Sequence, residues 1–284
     1  MKAIKSFSCL LLISITGYAQ TFTGTVLDDN SGMPLPYANI GIRGKQIGGV
    51  SDKNGRFEID LSSTLPSDIL VFSYVGYTSH QIQVAHIELS KSYTIRLKQE
   101  ARELQEIVVS SKKEVIELGN HKKSSRHTGW GDFSSSIGRA IGLVIPPVDQ
   151  YVQVNSVWFH LHACEFDSVL VRINFLTRKG DQVVSLREQS KNIFYTIKQK
   201  NGWVEVRIMD DLVLKREEVI VAIEWLEAWA KPRTLEEGGS YFFTISLAKV
   251  RGHHYLRQTP EEKIQLNAAE FTPSIYLSCV PVRE

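Results

Sequence analysis

The strongest constraint on the fold of this chain is a period-two alternation of apolar and polar residues, interrupted at short intervals by turn residues. Successive side chains of a β-strand point to opposite faces, so such alternation predicts strands that bury one face. Clear examples are Val169-Val171-Ile173-Phe175, Val219-Val221-Ile223-Trp225 and Tyr241-Phe243-Ile245-Leu247. Between residues 20 and 97 no stretch keeps a helical period over three turns. The sequence therefore predicts an all-β protein.

Turn signals and composition divide the chain into two β-domains. Residues 20–98 hold about seven short strand patterns, with a tight hairpin turn at 52–55, where Asn and Gly tolerate positive φ. Residues 99–128 are charge-rich and locally basic at their end, which predicts a solvated linker. From 129 to 284 the alternation returns, and regular turns favour a jelly-roll-like β-sandwich. We therefore predict a seven-stranded sandwich, a linker and a second, larger sandwich.

The first residues, 1–19, have the layout of a secretory signal peptide. Lys2 and Lys5 precede a short apolar run, and Gly17 and Ala19 place small residues before a cleavage position. The run is shorter than the roughly 20 residues that cross a bilayer, and no other stretch is long enough. We expect cleavage after Ala19 and an exported protein that does not span the membrane. Its location would be the periplasm, the outer membrane or the outside of the cell.

The charge balance argues against nucleic acid as a partner. The chain has 33 Lys and Arg against 31 Asp and Glu, which gives a formal charge of +2. Without Lys2 and Lys5 the two signs are equal, and no overall field remains to steer the protein to a polyanion. We therefore expect no nucleic-acid partner.

Two cysteines remain after the expected cleavage, Cys164 and Cys279. An oxidising compartment would permit a disulfide between them. On a regular strand Cys164 lies on the same side as His160. Cys279 lies on the same side as Leu277, and that side is expected to face the core. We therefore predict that the two side chains face different sides and are not joined.

The first domain carries a specific sequence pattern. It consists of Gly24-Thr-Val-Leu-Asp28, Pro34-Leu-Pro-Tyr-Ala-Asn-Ile40, Gly49-Val-Ser-Asp-Lys-Asn-Gly-Arg-Phe-Glu-Ile59 and Asp68-Ile-Leu-Val-Phe-Ser-Tyr-Val-Gly-Tyr77. With this pattern, residues 20–98 resemble the carboxypeptidase-like regulatory domain, a transthyretin-like sandwich. The resemblance implies a non-catalytic module, of the kind found beside zinc carboxypeptidases, in outer-membrane TonB-dependent receptors of Bacteroidota and in other envelope proteins. The second domain resembles the additional β-domain of stand-alone members.

The sequence offers one zinc-like motif, His162-Ala-Cys-Glu165, with His253 and His254 downstream as candidates for a third ligand. Residues three apart on a strand point to opposite faces, so His162 and Glu165 could share an ion only at a strand end. His160 and His162 share a face, but the sequence shows no further ligand beside them. We therefore predict no metal, no cofactor and no catalytic residue.

Tryptophans are the remaining candidates for a ligand site. Trp203 and Trp225 have apolar neighbours in strand patterns and are predicted to be core. Trp130 and Trp229 fall in loop-like segments, where an exposed indole can stack on a sugar or anchor a protein partner. We therefore take Trp130 and Trp229 as the candidate ligand-binding residues.

Three functions remain open at this point. The first hypothesis is a non-catalytic cell-envelope protein that binds an envelope partner. The alternative is a glycan-binding accessory protein that uses the jelly-roll domain, and the third is a hydrolase related to metallocarboxypeptidases. Exposed aromatic side chains along a sheet would favour glycan binding, whereas converging His and Glu would favour the hydrolase. A flat apolar patch or an open sheet edge would favour the first hypothesis.

Overall fold

The computed structural model describes residues 20–100, 108–109, 114–131, 137–180, 182–186, 189–231, 241–262 and 265–283. The predicted signal peptide at 1–19 lies outside these ranges. Every regular element within them is a strand, apart from one short 3-10 turn at Val84–His86. The all-β prediction is therefore confirmed. No helix in the described part of the chain is long and apolar enough to cross a membrane.

The first domain is a sandwich of two four-stranded sheets. Its strands are β1 (Thr21–Asp28), β2 (Asn39–Ile42), β3 (Gly48–Val50), β4 (Arg56–Asp60), β5 (Ile69–Ser73), β6 (Tyr77–Thr78), β7 (His80–Gln83) and β8 (Tyr93–Gln99). One sheet has the order β4-β1-β8-β6 and the other the order β3-β2-β5-β7. The sequence predicts a single strand over residues 77–84, but the chain crosses between the sheets here and forms both β6 and β7. The domain therefore has eight strands rather than seven.

Aromatic side chains from both sheets fill the core of the first domain. Phe22 of β1 lies 5.2 Å from Phe57 of β4, and Phe57 lies 5.3 Å from Phe72 of β5, measured between ring centroids. Strand β1 buries every second residue along its length. The alternation in the sequence is therefore enough to direct these rings into one layer between the sheets.

The second domain contains β9 to β22, which form one continuous hydrogen-bonded network of fourteen strands. They are β9 (Val108–Val109), β10 (Ile116–Gly119), β11 (His127–Gly131), β12 (Ala140–Ile145), β13 (Val152–Cys164), β14 (Ser168–Lys179), β15 (Gln182–Ser185), β16 (Ile193–Ile197), β17 (Gly202–Arg207), β18 (Val213–Leu214), β19 (Val219–Trp229), β20 (Phe242–Arg257), β21 (Gln265–Pro273) and β22 (Ile275–Arg283). The start of β20 pairs with β11 and β13, whereas its later part pairs with β12 and β21. Because β20 takes part in both layers, the network folds into a sandwich.

We call the layer built on β13 the front sheet and the layer built on β19 the back sheet. The front sheet contains β9, β10, β11, β13, β17, β18, β22 and the start of β20. The back sheet contains β12, β14, β15, β16, β19, β21 and the later part of β20. Trp225 of the back sheet lies 5.7 Å from Phe243 of the front sheet, within one shared core. The predicted second sandwich is therefore confirmed.

Part of the predicted linker belongs to the front sheet. Within 99–128, strand β10 pairs with β22, and β11 begins at His127 and pairs with β20. Ile116 and Leu118 of β10 pack against the core of the second domain. Their alternation covers only four residues within a charge-rich stretch, so it gives a weaker signal than the longer strands do.

The first domain docks on the outer side of the back sheet through a buried ionic network. Arg172 of β14 donates to both carboxylate oxygens of Glu224 of β19, each at 2.8 Å. Arg257 of β20 contacts the same carboxylate at 2.6 Å. Arg172 also donates to the carbonyl of Tyr37 at 2.7 Å and to the side-chain oxygen of Asn39 at 2.5 Å, both in the first domain. Two buried cations therefore share one carboxylate, and one of these cations binds the other domain.

The joint between the domains requires unusual backbone positions. Gly41 faces the second domain so closely that a Cβ on it would lie 2.1 Å from the carbonyl oxygen of Pro260. Among the described residues, the non-glycine positions with left-handed φ are Tyr37 and Glu261, at 58° and 66°. Both lie in the joint, where Tyr37 donates its hydroxyl to Glu227 and Glu261 accepts from Ser73. Such conformations persist only where surrounding contacts hold them.

Both cysteines are free, and both lie in the core of the second domain. The expectation that they face different sides is therefore wrong. A register shift between Leu161 and Ala163 turns Cys164 inward, as β-bulges do. The two are separated along β13 instead, because Cys279 pairs with Val154 at one end and Cys164 ends the strand. Ten residues of strand correspond to about 30 Å, far beyond disulfide reach.

We expect the chain from Gln20 onward to show no reactive thiol while it is folded and two after unfolding. Both side chains are buried, and burial raises the pKa of Cys279 to about 12, which suppresses the reactive thiolate. Titration with a thiol reagent before and after denaturation, without reductant, measures both numbers. A chain with no titratable thiol after unfolding would contradict this expectation.

Candidate functional site

Trp130, one of the two predicted ligand residues, lies in the core. Its side chain is 3% exposed, and its ring lies 5.0 Å from that of Phe243. The register of β11 with β20 sets Trp130 opposite the inward-facing Phe243, so the two rings share a side of the sheet. The exposed loop position predicted for Trp130 is therefore wrong, because its indole is buried in a strand. Glycines on both sides of it hide the strand alternation in the sequence.

Trp229, the other predicted ligand residue, ends β19 and is 43% exposed. It lies on the back sheet, two residues beyond Glu227, whose carboxylate accepts from Tyr37 of the first domain. Trp229 therefore stays a candidate for contact with a ligand, beside the joint between the domains.

The zinc-like motif is not assembled into a site. His162 stacks on His127 at 4.2 Å, and Glu165 accepts from the backbone N–H of Phe242 at 3.2 Å. His253 and His254 pair with β21 in the back sheet, away from His162 in the front sheet. Among the described residues no group of three His, Cys, Asp or Glu side chains is placed to hold a metal ion.

The outer side of the front sheet carries aromatic side chains from three neighbouring strands. Alternate residues of β13 are buried in the core, which directs Trp158 and His160 outward. The register sets Glu205 of β17 on one side of Trp158 and Tyr276 of β22 on the other. It also sets Trp203 opposite His160. We call Trp158, His160, Trp203 and Tyr276 the aromatic face.

Each ring of the aromatic face contacts the next one, in the order Trp158, Tyr276, Trp203 and His160. Trp158 and Tyr276 lie parallel, with 5.8 Å between ring centroids and 2° between planes. Trp203 meets Tyr276 edge-on at 5.2 Å, and His160 meets Trp203 edge-on at 5.1 Å. All four side chains are partly exposed. The sheet therefore presents a connected aromatic surface to the solvent.

Hydrogen bonds fix the orientation of two of these rings. The indole Nε1 of Trp158 donates to the hydroxyl of Ser156 at 2.9 Å. The Nδ1 of His160 lies 2.8 Å from the hydroxyl of Ser246, a fully buried residue. Side chains that are already fixed lose little further freedom when a ligand binds. The orientations of Trp158 and His160 are thus set by the protein itself.

Two carboxylates stand at the Tyr276 end of the face, Glu205 of β17 and Glu117 of β10. Burial, and then the negative charges of Glu117 and Glu205, raise the pKa of Tyr276. The basic side chains beside them are loosely placed, with His121 Nδ1 at 3.9 Å from Glu117 and Arg207 Nε at 3.6 Å from Glu205. The carboxylates therefore keep oxygen atoms that can accept hydrogen bonds from a ligand.

The other end of the face, around His160, has a positive charge beside it, because Lys123 is close enough to act on the His160 ring. His127 and His162 stack there with 11° between their planes. Burial, and then the charges of Lys123 and His162, lower the pKa of His160. The aromatic face therefore has an acidic end at Tyr276 and a basic end at His160.

The predicted core position of Trp203 is wrong, although the sequence contains a signal for the outer side. Trp203 shares its side of β17 with Glu205 and Arg207, whereas the intervening valines are buried. Charged residues two and four positions away mark the solvent side of a strand. The predicted core position of Trp225 is confirmed, because its side chain is fully buried.

A cleft of about 780 Å³ separates the two domains beside Tyr37. Charged side chains of both signs line it, among them Asp52, Lys53 and Glu227. The hydroxyl of Tyr37 in the first domain donates to Glu227 in the second domain at 2.7 Å. This hydrogen bond faces the cleft and joins the two domains. We therefore regard the cleft as part of the joint and the aromatic face as the candidate site.

These features define a class of protein, an all-β chain in which a small sandwich docks on the back of a larger one. Residues 22–109, which include the first domain, match the model of the CarboxypepD_reg-like domain. The resemblance stated from the sequence is therefore confirmed, and the match extends past the predicted boundary at 98.

The curated relatives include TonB-dependent receptors. The chain is 32% identical over 127 residues to TonB-dependent receptor P3 of Formosa agariphila, which covers 43% of the chain and 12% of that receptor. It is 30% identical over 100 residues to TonB-dependent receptor SusC of Bacteroides thetaiotaomicron, which covers 35% of the chain and 9% of SusC. The chain therefore matches only a small part of the length of these relatives.

Among solved structures, the chain is similar to the cysteine protease and lectin-like domains of Cwp84, a surface layer associated protein of Clostridium difficile. The identity is 8% and the TM-score 0.35, with 93% of this chain and 59% of that chain covered. A likeness at this level carries no conclusion about the ligand of this chain.

Proposed function

We propose that this protein is a non-catalytic cell-envelope protein that binds saccharides on the aromatic face. The observation that carries the proposal is the partly exposed surface of Trp158, Trp203 and Tyr276 on the outer side of a β-sandwich sheet. The C–H faces of a sugar ring pack on aromatic rings, and its hydroxyls donate to carboxylates such as Glu117 and Glu205. A polar ligand with apolar faces therefore fits this surface.

An envelope location is supported by two independent features. The relatives of the first domain are TonB-dependent receptors, and residues 1–19 have the layout of a signal peptide. Export to the periplasm, the outer membrane or the outside of the cell would bring the aromatic face into contact with cell-surface or environmental glycans. The first domain resembles a module that accompanies catalysis without performing it, which supports a role in binding.

The competing function is recognition of an envelope protein, because Trp and Tyr are also enriched at protein interfaces. Two features favour saccharides. Hydrogen bonds hold the rings of Trp158 and His160 in place. The neighbours of the rings include carboxylates, whereas a protein interface more often has an apolar patch around its aromatic residues.

We expect Trp158→Ala to weaken saccharide binding by at least about ten-fold, because truncation of an aromatic anchor costs on the order of 2 kcal/mol. Isothermal titration against a panel of neutral and anionic oligosaccharides measures the loss. Trp229→Ala distinguishes the two candidate positions, since it removes an exposed tryptophan from the back sheet. An unchanged affinity supports binding on the aromatic face, whereas a loss of affinity would place the saccharide at Trp229.

Thermal unfolding of both variants checks that the loss is not a loss of fold. If the unmodified protein binds no saccharide of the panel, the proposal is refuted. Equal affinity of Trp158→Ala and the unmodified protein would refute the placement of the site.

A further inference from the structure

We infer that the aromatic face takes saccharides that carry an anionic group, a carboxylate or a sulfate, and that Lys122 and Lys123 bind this group. The inference rests on the proposed function, because it names the class of saccharide that the same face would take. It concerns the basic run of residues 121–127, at the end of the predicted linker. Stacking of a saccharide on the aromatic rings gives these basic residues no role.

The main chain of this basic run is fixed beside the aromatic face. The hydroxyl of Ser274 donates to the carbonyl of Lys122 at 2.6 Å. The carbonyl of Ser274 accepts from the backbone N–H of His160 at 2.9 Å, so Ser274 joins the run to the aromatic face. Further along, the carbonyl of Arg126 accepts from β20 at 2.8 Å. The run therefore borders the His160 end of the face.

The side chains of Lys122 and Lys123 are available for a ligand. Both residues are exposed, and neither forms an ion pair with a residue of the described ranges. Lys side chains are long and flexible, so a fixed main chain at this place lets their ammonium groups reach over the neighbouring rings. Cations in such a position attract an anion on a bound saccharide.

The acidic end of the face gives the ligand a direction. Glu117 and Glu205 repel an anion near Tyr276 and accept hydrogen bonds from uncharged hydroxyls instead. Trp158 and His160 are about 7 Å apart along β13, a distance comparable with the length of a sugar residue. A saccharide stacked on Trp158 and Tyr276 can therefore place the charge of its next residue at the basic end.

Three probes of equal length test this inference: cellohexaose, its counterpart built of β-1,4-linked glucuronic acid, and sulfated cellohexaose. The expected result is that at least one anionic probe binds about ten-fold more tightly than cellohexaose at low salt, and that added salt reduces this preference. The double variant Lys122→Gln/Lys123→Gln should bind all three probes alike, with its affinity for cellohexaose unchanged. Lys53→Gln/Lys98→Gln in the first domain is the charge-matched control and should keep the preference.

Comparison of the two anionic probes shows whether the group is a carboxylate or a sulfate. Equal binding of neutral and anionic probes by the unmodified protein overturns the inference and leaves saccharide binding intact. An unchanged preference in Lys122→Gln/Lys123→Gln overturns the assignment to these lysines. Absence of binding to every probe, together with the wider oligosaccharide panel, overturns the proposed function itself.

Discussion

Replacement of Glu224 by Gln should lower the free energy of unfolding by about 3–5 kcal/mol, because it breaks a buried ion pair on one side only. The change keeps the shape of the side chain but removes the charge that faces Arg172 and Arg257. Both guanidinium groups would remain buried without the carboxylate that they share. Chemical denaturation followed by tryptophan fluorescence measures the loss.

Glu227→Gln is the control on the same strand. Glu227 is partly exposed and accepts a hydrogen bond from Tyr37. Removal of its charge should therefore lower the free energy of unfolding by no more than about 1 kcal/mol. Equal destabilisation by the two substitutions would show that the ionic network does not hold the joint.

The effect of Glu224→Gln should also depend on pH. Burial favours the neutral acid, but Arg172 and Arg257 outweigh it and hold the pKa of Glu224 below its usual range. A carboxyl whose pKa is lower in the folded state stabilises the protein above its unfolded pKa and loses this contribution as the pH falls. The difference between the variant and the unmodified protein should therefore be full at neutral pH and shrink below about pH 4.

Trp130→Ala should destabilise the second domain by about 3–5 kcal/mol, the usual cost of emptying the site of a buried aromatic ring. The indole fills the space between Phe243 and Trp225, at 5.0 and 6.0 Å. The same substitution at Trp229, which is 43% exposed, should change stability by less than about 1 kcal/mol.

Thermal and chemical unfolding of the two Trp→Ala variants provide the comparison. Where Trp130→Ala stays folded, its affinity for saccharide should equal that of the unmodified protein, because Trp130 lies inside the sandwich. A reduced affinity in a fully folded Trp130→Ala would show that the inner side of β11 communicates with the aromatic face.

Alternation along single strands is sufficient to predict most of this fold. It predicts β1, β14, β19 and the core position of Trp225, since period-two patterns depend only on neighbouring residues. A bulge reverses the pattern without any change in composition, and this is why the expected orientation of Cys164 is wrong. Trp130 is misjudged for a related reason, because glycines replace the alternating apolar residues around it.

The aromatic face could be predicted only in part. That Trp203 faces the solvent can be read from Glu205 and Arg207, which share its side of β17. That Tyr276 lies against Trp158 depends on the pairing of β13 with β22, two strands far apart in the sequence. Pairing of distant strands is set by the packing of the whole domain, so no local pattern in the sequence identifies this contact.

The position of the first domain on the back sheet has a consequence for how the molecule can be used. Packed sheets lie about 10 Å apart, so the whole thickness of the sandwich separates the joint at Arg172 from the rings of the front sheet. A ligand on one surface and a partner on the first domain would not obstruct each other. If the proposed saccharide site is correct, the first domain could be held by a partner while the opposite surface stays open to a long polymer.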